Sequence, residues 1–531
     1  MTAAVPLYLN AMLDAHAGGR SSRSIHLGYW PPGSDADFAA AQARLDDLVI
    51  DSAALTNGLA VLDVACGLGG LLATIDARYR GCDLTGLNHD PRQLDACHRL
   101  RPRPDTALRW VEGDACRLPF ATASFDRVCC VEAMFHFGAR EAFLGEAFRV
   151  LTPDGRLVVT DILLEPPADP AAARAAHADL LAAYGPWPEP WMGAGLLGAR
   201  FAAAGFADVT LHDITSETLP SYRFLLPGDG RPATDPLGRS LAALHRLHAG
   251  GGLRYVCMSA RKPATETAAD RLVRIAAGLG TPLLHERSLR LSADGAQGDR
   301  FLVSLPTVAL GAEADARLTA AWRDLGMPAD CLAAARERLP AARHVHFGHE
   351  GAGGRTKTYL EFAADTSSGA GLLHLAFKWD PTGTATPVET RYLLYPPADR
   401  AGLLSALAAL HEGGTANPGF PPLAALIDRA LGRMPAADVQ VLEVVEETGR
   451  RSYDVNLADA GLAVGDVRME LEALARVLGA DPVAVGGALA ARAGDRLGHV
   501  AGGVHRDGRG FVTIYHGAGP WPPPPPGALT P

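Results

Sequence analysis

Val61-Leu-Asp-Val-Ala-Cys-Gly-Leu-Gly-Gly70 decides how the first half of this chain is read. A short apolar run ends in an acidic residue, and a glycine-rich turn then opens a helical segment at Leu71. Glycines let the backbone pass close to a ligand, and the helix that follows presents free N–H groups. The carboxylate of Asp63 beside that turn repels a pyrophosphate but suits a cationic or hydroxyl-bearing ligand. Glycine turns are common, so the neighbouring segments decide.

Downstream the pattern alternates strand and helix. Cys82 to Leu87 reads as a second strand ending at Asn88, about twenty residues beyond the glycine turn, where nucleotide-binding α/β domains hold a ribose. Leu108 to Ala115 gives a third strand and loop, with Asp114 one strand further along the same edge. Ser124 to Val131 is the fourth strand, and Glu132 and His136 follow at its carboxyl end. The turn Thr152-Pro-Asp-Gly155 leads to a fifth strand, Arg156 to Leu164. Segments 205–211 and 252–260 complete the sheet. Upstream, 5–17 and 35–55 read as helices. Between them Tyr29 and Trp30 precede a Pro-Pro-Gly turn, where they serve either as ordinary apolar contacts or as a lid over a small-molecule pocket.

The 531 residues allow roughly two to four domains. With 48% hydrophobic and 20% charged residues the composition is that of a globular protein. A formal charge of −10 with no basic stripe argues against a nucleic-acid partner. No apolar run approaches a membrane span, and the first residues carry no charged region followed by an apolar core. The eight cysteines contain no Cys-x-x-Cys pair, so they read as reduced residues of a cytoplasmic protein.

These motifs together resemble the class I methyltransferases that use S-adenosyl-L-methionine, over about residues 20–263. Asp63-Val-Ala-Cys-Gly67-Leu-Gly69 is similar to that family's cofactor loop. Gly113-Asp114-Ala115 before Leu118-Pro119-Phe120 is similar to its adenine segment, and Arg149 to Arg156 to the turn before its fifth strand. The resemblance implies that Asp63, with Ala65, Gly67 and Gly69, receives the cofactor's cationic amino-acid end. It implies Asn88 at the ribose, although many relatives carry an acid there, and Asp114 with the Ala115 backbone at the adenine. His136 and Asp161 stand where natural-product relatives place a base, with Glu132 a weaker candidate. The Pro- and Trp-rich stretch 165–200 is expected to roof an apolar or aromatic acceptor.

After a modest linker at 263–268 the pattern changes to five β-hairpins, at 289–305, 344–362, 373–395, 439–457 and 499–515. Helical stretches at 313–339, 398–432 and 465–492 separate most of them. The helix-pair-then-hairpin order of 316–362 recurs at 469–515, as in an internal repeat. Period-two side chains on the return strands share a theme: Arg355, Lys357 and Tyr359; Arg391 and Tyr395; Arg451 and Tyr453; Thr513 and Tyr515; with Arg300 leading the first. On an open sheet this is the wet face. In a closed barrel it lines the inside.

This half resembles the aromatic prenyltransferases of the ABBA type, ten-stranded antiparallel barrels of the dimethylallyltryptophan synthase family, in which Arg-x-Lys-x-Tyr recurs on barrel strands. The resemblance implies a prenyl diphosphate site of Arg300, Arg355, Lys357, Tyr359, Arg391, Tyr395, Tyr453 and Tyr515. Cations would neutralise the diphosphate, and tyrosine faces would shield an allylic cation. Glu286 would hold an indole N–H, dimethylallyl diphosphate would be a co-substrate, and no metal is called for. Leu393 stands in the lysine's place on the third hairpin.

The sequence therefore predicts an α/β, Rossmann-like seven-stranded methyltransferase domain (1–263), then an α+β domain of repeated helix and hairpin units closing as an ABBA-like antiparallel barrel (264–518), then a proline-rich tail (519–531). The function expected is methylation and prenylation of one aromatic, indole-type natural-product scaffold. The alternative is a methyltransferase whose second domain is a non-catalytic binding or dimerisation module. The partners expected are a small-molecule aromatic substrate, no nucleic acid and no membrane, with a homodimer compatible with either reading.

Overall fold

In the computed structural model of the chain, the structure describes residues 7–19, 21–167, 169, 171, 173–174, 178–226, 235–351, 355–367, 369–381, 383, 385–411, 413–447, 451–504 and 508–522. They fall into two compact units, Met1–Glu266 together with Pro522, and Thr267–Trp521.

The first unit is built on a seven-stranded sheet: β1 Ala60–Val64, β2 Asp83–Asn88, β3 Ala107–Glu112, β4 Phe125–Val131, β5 Leu151–Leu164, β6 Ala207–Asp213 and β7 Leu253–Arg261. Their spatial order is β3-β2-β1-β4-β5-β7-β6. The first five run parallel, while β7 is antiparallel to both β5 and β6. Parallel neighbours need crossover connections, and helices α3 (Gly70–Arg78), α4 (Pro91–Cys97) and α5 (Arg140–Val150) supply them. Helices α1 (Leu7–Ala17) and α2 (Phe38–Ser52) come before the first strand. The starts of α2 and α4 are written in sequence. Asp37 accepts from the Ala40 N–H, Asp90 accepts from the Arg92 N–H, and Pro91 occupies the first turn, where no N–H is needed.

Val61, Leu62 and Val64 of β1 are all fully buried, as a strand covered on both faces requires. Leu45 and Val49 of α2 and Leu72 and Ile75 of α3 belong to the same core as Val61, Leu84 and Val158. The carboxyl ends of β1, β2, β3 and β4 therefore share one edge, with Asp63 opposite Gly86 and Asn88 opposite Glu112.

The second unit contains β8 Leu284–Ser292, β9 Gly295–Pro306, β10 His344–His349, β11 Thr356–Glu361, β12 Gly371–Trp379, β13 Val388–Leu394, β14 Gln440–Glu446, β15 Arg451–Asn456, β16 Leu497–Val504 and β17 Gly510–Pro520. All pairs are antiparallel, and β17 pairs with β8 to close a ten-stranded barrel. The five hairpins and the three helical stretches between them stand where the sequence puts them. Outward-facing Leu289, Leu291, Val441, Val455, Val500 and Ile514 pack with Leu403, Leu407, Leu423, Leu426, Leu471 and Leu474 of the helices. With the outer face apolar, the polar alternates point inward.

The expected tail begins later than the sequence suggests. Strand β17 continues through Gly519 and Pro520, and the Trp521 N–H donates to the Leu283 carbonyl at 2.9 Å. The remainder of the tail, 523–531, lies outside the described residues. Among the described residues, no helix is long and apolar enough to cross a membrane.

Candidate functional site

A cavity of about 760 Å³ opens at the shared strand edge of the first unit. Asp63, Ala65, Gly67, Asn88, Asp114, Ala115 and His136 line it, so the sequence-derived residues converge on one space. The loop after β1 turns through positive φ at Ala65 (59°) and Gly67 (56°), a region that β-carbon-bearing residues rarely adopt. A Cβ on Gly70 would come within 2.9 Å of the Ser24 backbone nitrogen, so the absent side chain lets the N-terminal segment lie directly on the loop.

That segment supplies residues the motifs did not reveal. Arg23 donates to the Leu68 carbonyl at 3.0 Å, and Ser24 Oγ donates to Asp46 at 3.1 Å. His26 points Nδ1 at the Leu27 carbonyl (2.8 Å) and Nε2 at the Asp46 carboxylate (3.1 Å). Both partners only accept, so both ring nitrogens carry protons and His26 is a cation. Burial alone would lower its pKa, but the hydrogen bond to Asp46 raises it. Asp63, 3% exposed, is pushed up to about 8 by burial first and the Asp46 charge second. A buried carboxyl in this condition gains from a cationic ligand.

At the far end, Asp114 accepts from the Cys116 N–H at 2.8 Å, which sets the turn that holds Ala115 on the cavity wall. Asn88 is already engaged. Its amide donates to Gln93 at 3.1 Å and its oxygen accepts from the Asp90 N–H at 3.1 Å. Glu112, opposite Asn88, also lines the cavity.

The family model described as a methyltransferase domain matches residues 62–159. Erythromycin 3''-O-methyltransferase of Saccharopolyspora erythraea is 31% identical over 220 residues, 39% of this chain and 70% of the relative. The chain belongs to the S-adenosylmethionine-dependent methyltransferases. Methyltransferase GfsG of Streptomyces halstedii is 35% identical over 152 residues, 28% of this chain and 54% of the relative, so the chain spans about half of that protein. Among solved structures, the [4+2]-cyclase SpnF aligns over 48% of this chain and 93% of its own at 23% identity and a TM-score of 0.39.

Within this methyltransferase the two expected base residues separate. His136 faces the cavity. Its Nδ1 donates to the Pro186 carbonyl at 2.8 Å, so Nε2 of the neutral ring accepts from the Tyr8 hydroxyl at 2.7 Å. Burial pushes the His136 pKa down to about 4. Asp161 does not line the cavity. It is fully buried, accepts from the Phe135 N–H at 3.0 Å and lies 3.5 Å from the buried Arg140 guanidinium. Its side chain leaves β5 toward α5, so its place is that of a structural counter-ion. Glu132, at φ 49°, accepts from the Leu27 N–H (2.8 Å) and the Tyr255 hydroxyl (2.6 Å), tying down the N-terminal segment.

Gly69 also differs from expectation. It caps α3 at φ 79°, and a Cβ there would meet Trp110 at 2.7 Å, so it serves packing beneath the loop and does not line the cavity. Of the two readings offered for this stretch, Trp30 takes the apolar contact: it is buried with its ring 5.8 Å from Phe224, whereas Tyr8, Leu9 and residues 23–26 line the cavity.

In the second unit, Glu286, Arg300, Lys357, Tyr359 and Tyr515 point into the barrel. Arg391, Tyr395 and Tyr453 do not. Arg391 is 62% exposed and pairs with Glu389 at 2.9 Å. Tyr395 donates to Glu443 at 3.2 Å, and Tyr453 stacks on His411 in the outer core, ring centres 5.7 Å apart. The register across β12 and β13 puts Tyr392, opposite His374, on the inner face instead. A one-residue difference in phase exchanges the faces. Arg355 lies just before β11 starts.

The interior is also less cationic than the sequence suggests. Glu350 pairs with Lys357 and stands 3.3 Å from Arg300, while Lys378 stands 3.5 Å from Glu446. Burial drives Lys357 down to about 7. Glu286 is raised to about 7 by burial, close to the Asp454–His499 pair at 3.0 Å.

Proposed function

We propose that this methyltransferase acts on a hydroxyl group of an aromatic natural-product scaffold, with Tyr8 and His136 removing the proton. The observation that carries the reading is the Tyr8–His136 hydrogen bond on the cavity wall, with Nε2 unprotonated and accepting. When bound, S-adenosylmethionine supplies an electrophilic methyl group. Asp63 receives the cofactor's cationic end, and the Ala115 backbone meets its base. An acceptor hydroxyl seated at Tyr8 passes its proton to the Tyr8 oxygen while the tyrosine proton moves to His136 Nε2. That relay leaves an alkoxide-like oxygen facing the methyl group. Tyr184 stacks on Tyr8 at 4.7 Å, and Trp187 packs against Phe135 at 4.7 Å with the rings tilted by 46°, a setting suited to a flat apolar acceptor. The 3''-O-methyltransferase named above is a relative whose name specifies transfer to oxygen.

Labelled S-adenosylmethionine incubated with a panel of hydroxylated, aminated and indolic aromatics tests this. Transfer to oxygen that fails in Tyr8→Phe and His136→Ala supports it. Undiminished transfer in both variants, or transfer to nitrogen or carbon alone, overturns it.

Prenyl transfer is a second reading, supported by the closed barrel with Arg300, Lys357, Tyr359 and Tyr515 inside. Glu350 would have to release Lys357 and Arg300 before a diphosphate could take them. Incubation with dimethylallyl diphosphate and the same acceptors decides between this bifunctional reading and a non-catalytic second domain.

A further inference from the structure

Three successive barrel strands bring His346, Glu361 and His374 together on the inner face. The register accounts for it: His346 on β10 stands opposite Tyr359, two residues before Glu361 on β11, and Glu361 stands opposite His374 on β12. One ligand atom from each lies within 4.8 Å of the other two. Nε2 of His346 is 3.0 Å from the Glu361 carboxylate, and the His346 and His374 rings are 5.8 Å apart at 77°. Ser304 Oγ lies 2.6 Å from Nδ1 of His346 and fixes the orientation of its ring.

A hydrogen-bond network explains His346 and Glu361 but leaves nitrogens over. Nδ1 of His374 is buried with no hydrogen-bond partner. So is Nδ1 of His344, which lies 3.5 Å from the same Glu361 oxygen. Buried polar atoms are normally satisfied, and two orphans around one carboxylate point to an absent ligand. Two imidazoles and a carboxylate are the donor set of first-row divalent ions, with metal–nitrogen distances of about 2.0–2.1 Å. Donors around one such ion stand roughly 3–4 Å apart, so small side-chain rotations would bring these three into place. Ser304 would then be the outer partner that aims a ligating imidazole.

We propose that the second unit binds one divalent transition-metal ion through His346, Glu361 and His374. Three protein donors leave coordination positions open toward the interior, where Tyr359 and Tyr392 stand, so an oxygen-donor ligand can complete the ion's shell. The site is independent of the methyl-transfer reading.

The test uses the full chain, stripped with a chelator and titrated with Zn²⁺ by calorimetry and with Co²⁺ by visible absorption. One equivalent per chain is expected, with a cobalt spectrum of low-symmetry nitrogen and oxygen ligation. His374→Ala and Glu361→Gln should each weaken binding more than about 100-fold, beyond the 10–100-fold that loss of an outer partner such as Ser304 costs. Cys331→Ser, outside the triad, should leave the titration unchanged. Circular dichroism and urea unfolding establish that the variants fold, and Glu361→Gln keeps the side-chain volume should His374→Ala fail. Absence of stoichiometric binding, or a titration unaltered by both substitutions, overturns the proposal.

Discussion

The Tyr8 hydroxyl donates to Nε2 of His136 across 2.7 Å, joining a residue of the first helix to one at the end of the fourth strand. If this pair moves the proton, His136→Ala should lower kcat by about 100-fold or more while cofactor affinity stays within about twofold. Tyr8→Phe should lower kcat with little change in cofactor Kd. Steady-state kinetics beside calorimetry with S-adenosylmethionine separates the two quantities.

The same pair fixes a pH profile. Burial pushes His136 down to about 4, so the ring stays unprotonated and able to accept a proton well into the acidic range. The acidic limb of kcat should therefore fall near pH 4, and activity should be flat between pH 5 and 7. A limb near 6.5, the value of a free imidazole, would exclude His136.

Asp63 carries the opposite kind of shift, up to about 8. The folded state keeps this proton where an unfolded carboxyl, with a pKa near 4, has released it. The native state then binds more protons, so cofactor-free stability declines as pH rises from about 4 to 8. A cationic ligand prefers the carboxylate, so cofactor affinity should rise over the same window. Differential scanning fluorimetry should show a Tm that falls with pH without cofactor and a cofactor-induced shift that grows. Asp63→Asn should flatten both.

Arg140 and Asp161 form a fully buried pair. Removing the cation strands a carboxylate in the core, so Arg140→Ala should cost about 3–5 kcal/mol in urea unfolding. Asp161→Asn should retain kcat within a few-fold, because its side chain lies away from the cavity.

The barrel's two faces separate in the same way. Lys357→Ala removes one of the two cations beside the buried Glu350, leaving Arg300 at 3.3 Å, and should cost about 1–3 kcal/mol. Arg391→Ala, on the exposed face, should stay within about 0.5 kcal/mol. Equilibrium denaturation of both variants checks the assignment.

The methyl-donor half was legible because its signals are local. Asp63, Gly67 and Asp114 each sit in a short motif, and the parallel sheet places the motif ends on one edge. Tyr8 and His26 belong to no such motif and reach the cavity only through the fold of the N-terminal segment. On the barrel, Arg391-Tyr-Leu-Leu-Tyr395 looks like the return-strand pattern one residue out of phase. The phase is set by pairing with β12, which shifts register between Leu372 and His374. That also explains why Leu393 fills no lysine role. His346, Glu361 and His374 are unremarkable along the chain and become a cluster only once three strands are aligned.

Closure of the barrel through β17 and β8 has a consequence for synthesis. His285 contacts the Gly519 carbonyl although 234 residues separate them. The methyltransferase sheet can assemble as soon as its own strands have left the ribosome. The barrel must wait, with β8 and β9 presenting an unpaired edge and outward-facing leucines until its final strand emerges. Such long-range pairing folds slowly and exposes sticky surface meanwhile. The second unit, rather than the first, is the place where a nascent chain of this protein would need a chaperone.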